Sequence, residues 1–162
     1  MMILRLAQWL DRLTVWICLS ALGVLVGAIL TIVILRYGFG TGFIKLQDAA
    51  SYAFAILLIF AVPVTLARNG HVRVDIISER LGLNYLRQLD WFGLIFMLIP
   101  VCSLLIWAWW PSLQYAWTIY EASVETGGLS GLFLVKTALP IAALFTLIQG
   151  MAVVIRQGQT TS

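Results

Sequence analysis

Apolar residues in this chain do not alternate with polar ones. They run together in four stretches, 13–35, 49–67, 91–110 and 132–155. The first three contain no Asp, Glu, Lys, Arg or His, and the fourth contains only Lys136. Each is about as long as a helix must be to cross a hydrocarbon core, roughly 17–25 residues. Backbone inside lipid has to satisfy its own hydrogen bonds, so these stretches are expected to be helical. The pattern predicts an all-α integral membrane protein with four transmembrane helices in a single membrane domain, 1–162. The connections 36–48, 68–88 and 111–131 are too short to bury cores of their own.

Shorter patterns refine the picture. Ile3, Leu6, Ala7 and Leu10 share one helical face, with Arg5, Gln8 and Arg12 opposite. Two readings stay open for residues 3–12: a short amphipathic helix lying in the interface, or an extension of the first span into the headgroups. A second short interfacial helix is expected from Asp75, as N-cap, to about Gly82, with Val74, Ile77 and Leu81 on one face. The first apolar run is too long for a signal-peptide core and lacks a small-residue cleavage site, so a retained first helix is expected. Gly23 and Gly27 form a G-x-x-x-G pair that permits close helix approach. Pro63, Pro100 and Pro140 each remove one helical hydrogen bond and are expected to bend their spans. Trp107, Trp109, Trp110, Tyr115, Trp117 and Tyr120 read as an interfacial aromatic belt. The third span either ends at Pro111 or continues past it to about residue 120.

Composition agrees: 62% of residues are hydrophobic and 10% charged, against about a quarter charged in a soluble domain. The net charge of +3 is not a nucleic-acid signal, because basic residues in a membrane protein mark its cytoplasmic side. Seven of the ten Lys and Arg residues lie in the N-terminal segment, the second loop and the tail; three lie in the first loop and at the start of the fourth span. Both termini and loop 68–88 are therefore expected in the cytoplasm, with 36–48 and 111–131 outside. Cys18 and Cys102 sit inside spans without metal-ligand spacing and read as packing residues. No cofactor or metal is expected. Gln149, the most polar group well inside a span, is expected to hydrogen-bond a neighbouring helix.

The second loop carries the most specific pattern. Residues 67–77 read ARNGHVRVDII and include the chain's one histidine, His71. Positive-inside charge accounts for the arginines but not for their order. This order resembles the loop of the small permease subunit (DctQ-type) of tripartite ATP-independent periplasmic (TRAP) transporters, in which a Gly, a His and a hydrophobic-Arg-Val-Asp run follow the second helix. Lys136 with Pro140 is similar to that family's Lys-x-x-x-Pro element, and EASVETGGLSG, residues 121–131, to its outer loop. The resemblance implies a bacterial inner-membrane protein that joins a large permease subunit. A periplasmic substrate-binding protein delivers an organic anion to that pair, and a sodium or proton gradient drives uptake. It also implies that the small subunit braces the large one. Arg68, Gly70, His71, Arg73 and Asp75 would then fix the inner loop against the large subunit or lipid phosphates. Lys136 joins them as a structural candidate, and Glu121 and Glu125 as contacts for the binding protein.

Enzymatic readings fare poorly. Gly128-Leu129-Ser130-Gly131 matches the G-x-S-G of rhomboid proteases, but a serine nucleophile needs a base. The one candidate base, His71, is expected on the opposite membrane face. A bis-histidine haem anchor needs two histidines at membrane depth. The alternative that stands is a haem-free four-helix anchor or assembly subunit of another complex, such as a respiratory enzyme.

Overall fold

The computed structural model describes residues 2–68, 88, 91–123 and 125–159. Among the described residues there are four long helices: α1 (Met2–Phe39), α2 (Ile44–Ala67), α3 (Ile99–Thr118), which continues from a π-helical segment Gly93–Leu98, and α4 (Leu132–Gln159). Each is long and apolar enough to cross a membrane.

The helices run further than the uncharged stretches that predicted them. At 1.5 Å per residue α1 is about 57 Å long, nearly twice a hydrocarbon core of about 30 Å. Residues 3–12 are its first turns, which corrects the reading of a separate surface helix. No Gly or Pro interrupts this segment, and part of its apolar face packs on protein: Ala7 and Leu10 are buried, while Leu6 is exposed. At the other end of α1, Gly40 at φ +66° reverses the chain. The first connection thus shrinks from the expected 36–48 to residues 40–43.

Pro111 does not end the third helix. α3 continues to Thr118 and stops in a paired carboxyl-terminal cap. Glu121 N–H donates to the Ala116 carbonyl at 2.9 Å and Tyr120 N–H to the Trp117 carbonyl at 3.4 Å. This is the Schellman arrangement, whose left-handed position usually holds glycine. Here Tyr120 occupies it, at φ 48°. Its ring meets Phe133 edge-on at 5.9 Å, and Trp117 meets the same ring at 4.8 Å. Such aromatic pairs contribute about 0.5–1.5 kcal/mol each, comparable to the roughly 1–2 kcal/mol cost of the left-handed conformation.

α4 organises the bundle. It packs against α1, α2 and α3, while α1 and α2 form an antiparallel hairpin and α3 packs chiefly on α4. Of the most apolar window of α4, 44% is buried, against 11–17% for the other three helices. Small side chains make this possible: Ala138, Ala142, Thr146 and Gly150 recur every four residues and are buried, so neighbouring backbones approach closely. A Cβ at Gly150 would collide with Leu98. Phe60, Ala138 and Ala142 form the core, with Ile17, Cys18, Ile56, Ile59 and Phe145 packed around them. Gly23 and Gly27, by contrast, are exposed and have no described neighbour within 4 Å of a built Cβ.

Candidate functional site

The polar side chains gather at the two ends of the bundle. One end carries the connections 40–43 and 119–131. The other carries the start of α1 and the finish of α2 and α4.

At the connection end, α2 grips the long loop through the backbone of a single residue, Leu129. Asp48, in the first turns of α2, accepts a hydrogen bond from Leu129 N–H at 2.8 Å. One turn on, Tyr52 Oη donates to the Leu129 carbonyl at 3.0 Å. Ser123 N–H donates to that same carbonyl at 3.0 Å, and Ala122 and Ser130 form an antiparallel bridge. The loop is thus a small closed lariat seated on α2. Gly128 is where the backbone comes closest. A Cβ there would fall on the Asp48 carboxylate and the Ser123 side chain.

Two further bonds tie α3 and the loop to α4. Lys136 Nζ donates to Glu121 Oε2 at 2.6 Å, each side chain being 22% exposed. Glu121 is brought within reach by the cap that ends α3. Trp109 Nε1 donates to the Lys136 carbonyl at 3.1 Å. That carbonyl lies four residues before Pro140 and has lost its helical donor because proline has no N–H. The indole replaces the missing bond, as compensation within a membrane requires. Trp117 Nε1 adds a bond to Thr137 Oγ1 at 3.0 Å.

The terminal end is looser. Gln149, 2% exposed, donates through Nε2 to the Ala7 carbonyl at 2.8 Å, the interhelical bond expected of it. Arg68 Nε stands 3.8 Å from Asp11 Oδ1, with the arginine side chain 60% exposed. Asp11 Oδ1 is itself buried and has no hydrogen-bond partner among the described residues. Gln8, Asp11, Arg12, Ala67 and Gln149 line a polar pocket of about 260 Å³ beside it.

The sequence-level candidates divide accordingly. Lys136 and Glu121 are brought together and hold each other, which turns Glu121 from a free outward carboxylate into part of the loop's frame. Glu125 is exposed on the loop, its N–H donating to Ser123 Oγ at 3.3 Å. Arg68 ends α2 beside Asp11. Gly70, His71, Arg73 and Asp75, with the short helix expected from Asp75, lie outside the described residues. Sequence reasoning passed over Asp48, Tyr52, Trp109 and Asp11 as structural anchors. A signal for Trp109 existed, since every transmembrane proline frees a carbonyl that needs a donor. Asp48 offered only its place as the last charge before the second span.

Residues 25–160 match the family model of the tripartite ATP-independent periplasmic transporters, DctQ component. No curated protein matches the chain.

Proposed function

This chain belongs to the DctQ component family of TRAP transporters, and on that premise we propose that it braces a large permease during binding-protein-dependent uptake of an organic carboxylate. It is a transport protein rather than an enzyme, and the respiratory-anchor alternative gives way to the family. The family implies a large permease subunit and a periplasmic binding protein as partners. The finer assignments are ours: an inner-membrane location with both termini cytoplasmic, a sodium gradient as driving force, and a carboxylate substrate whose site lies on the large subunit.

Family membership carries the reading. The chemistry of the described helices supports it. A transport path needs polar or ionisable groups, or broken helices, at mid-depth. Here Asp48, Tyr52, Glu121, Lys136, Trp109 and Gln149 each make a contact within the chain. Their work is to hold a frame together. Within that frame, Arg68, Gly70, His71, Arg73 and Asp75 anchor the inner loop to the permease or to lipid phosphates, and Glu125 faces the binding protein.

The test is to isolate the tagged full-length chain from its native membranes in mild detergent and identify what accompanies it. A near-stoichiometric large polytopic permease is expected. A soluble oxidoreductase in its place, with no permease, overturns the proposal. Arg73→Ala and Asp75→Ala should each reduce recovery of the permease. If both leave assembly and uptake intact, the loop's anchoring role is wrong.

A further inference from the structure

Prolines interrupt α3 at Pro111 and α4 at Pro140, and each leaves the carbonyl four residues earlier without its helical donor. For Pro140 that carbonyl belongs to Lys136, and Trp109 Nε1 serves it at 3.1 Å. For Pro111 it belongs to Trp107. The described side-chain donors nearby are engaged elsewhere: Trp117 with Thr137 Oγ1, Thr118 with the Gln114 carbonyl and Thr146 with the Ala142 carbonyl. Among the described residues, one proline break is repaired within the chain and the other is not.

The unrepaired break opens on a cleft. Ser103, Trp107, Trp110 and Pro111 of α3 and Leu144 and Leu147 of α4 line a groove of about 760 Å³. Ser103, Trp107 and Trp110 share one face of α3 and are all exposed. Depth narrows the occupant. Leu144 and Leu147 follow Lys136, the one charge in its span, by eight and eleven residues, about 12–17 Å along the helix. The middle of a hydrocarbon core lies about 15 Å from either face. Water does not reach that depth, and an acyl chain would fill the cleft without offering a donor. A helix that carries a side-chain N–H or O–H meets both demands, as hydrogen-bonding side chains do between membrane helices.

We propose that this cleft seats a transmembrane helix of the large permease, and that one indole, amide or hydroxyl of that helix donates to the Trp107 carbonyl. The choice of the permease rests on the bracing role proposed above. The bond has its counterpart inside the chain, where Trp109 serves Lys136. Trp107 and Trp110 wall the cleft, and the Ser103 hydroxyl offers the incoming helix a second polar contact one turn further along α3.

The sequence supplies its own reporter. Trp107–Ala108 is the one place where alanine follows tryptophan, so a chain isotopically labelled at the tryptophan carbonyl carbon and the alanine nitrogen gives a single coupled carbonyl signal. Solid-state NMR of the full-length chain in bilayers is recorded alone and after reconstitution with unlabelled permease. On assembly the Trp107 carbonyl signal should move downfield, the direction of a carbonyl that gains a hydrogen bond. In Pro111→Ala, whose new N–H serves the carbonyl, the signal should stand downfield in the free chain and stay there on assembly. Ala108→Phe, which fills the cleft from an exposed position, should lower permease recovery and leave the thermal midpoint of the free chain unchanged. An unmoved signal in a complex that has formed overturns the proposal and leaves the bracing role standing; failure of the permease to associate overturns both. A signal already downfield in the free chain would mean that the chain, lipid or water serves the carbonyl. One that moves with protein density in the absence of permease would give the cleft to a second copy. Either result overturns the proposal.

Discussion

The two ends of this bundle meet the same problem differently. At the connection end, Asp48 and Tyr52 engage the Leu129 N–H and carbonyl, Glu121 meets Lys136, and the carbonyl freed by Pro140 receives Trp109. At the terminal end, among the described residues, the Gln149 amide crosses between helices and Asp11 meets Arg68 only at 3.8 Å. A closed network fixes the loop it encloses; the terminal end has fewer polar ties among the described residues. The comparison assigns the holding of the outer loop to the polar contacts of the first end. It also predicts that substitutions will act unequally at the two.

The largest effect is expected at Gly128, where any side chain falls on Asp48 and Ser123. Gly128→Val should lower stability by about 3 kcal/mol, the upper range for overpacking. It should also open 119–131 to added protease before the helices unfold. Next comes Asp48→Ala, which leaves Leu129 N–H without its acceptor. A loss of about 2 kcal/mol is expected for a hydrogen bond to a charged group, read as a lower thermal midpoint in detergent. Asp48→Asn should cost less, since the amide oxygen still accepts. If both variants unfold like the parent chain, the loop is not held by this end and the contrast collapses.

Trp109→Phe sharpens the comparison by isolating one bond. It keeps the ring and removes the N–H that serves the Lys136 carbonyl. A cost of about 1 kcal/mol is expected, within the range of interhelical bonds measured in membranes. Because α3 packs chiefly on α4, the loss should appear as earlier release of α3. The decisive form is a double-mutant cycle with Pro140→Ala. Alanine supplies its own N–H to the Lys136 carbonyl, so the Trp109→Phe penalty should shrink in that background. An undiminished penalty would mean that the indole acts by packing and not by repairing the proline break.

The four helices were legible because hydrophobicity at membrane length leaves the backbone few alternatives. Family resemblance was legible in the order of residues 67–77. Helix ends were not, because they depend on contacts made elsewhere. Tyr120 takes a left-handed cap position usually given to glycine and does so beside Phe133, thirteen residues on. In residues 3–12, Ala7 and Leu10 meet protein while Leu6 stays exposed, and a hydrophobic face does not say which of its residues will be covered. The same ambiguity misdirected attention to Gly23 and Gly27, while Ala138, Ala142, Thr146 and Gly150 formed the row that packs. Glu121 and Lys136 were each singled out, but their pairing depends on where α3 stops.

The smallest effect is expected at Gln149, although it is among the most deeply buried polar groups described. Its amide donates to a carbonyl, that of Ala7, which already belongs to the hydrogen-bond ladder of α1. Gln149→Leu therefore removes a second bond from an acceptor that keeps its first, and it takes the buried amide away with it. Replacing a buried polar group by an apolar one of similar size is close to neutral when no orphan remains, so a loss of about 0.6 kcal/mol is expected, the average for such bonds between membrane helices. Thermal unfolding of the full chain should place Gln149→Leu well above Asp48→Ala. A penalty as large as that of Asp48→Ala would mean that the terminal end is also held by its polar contacts.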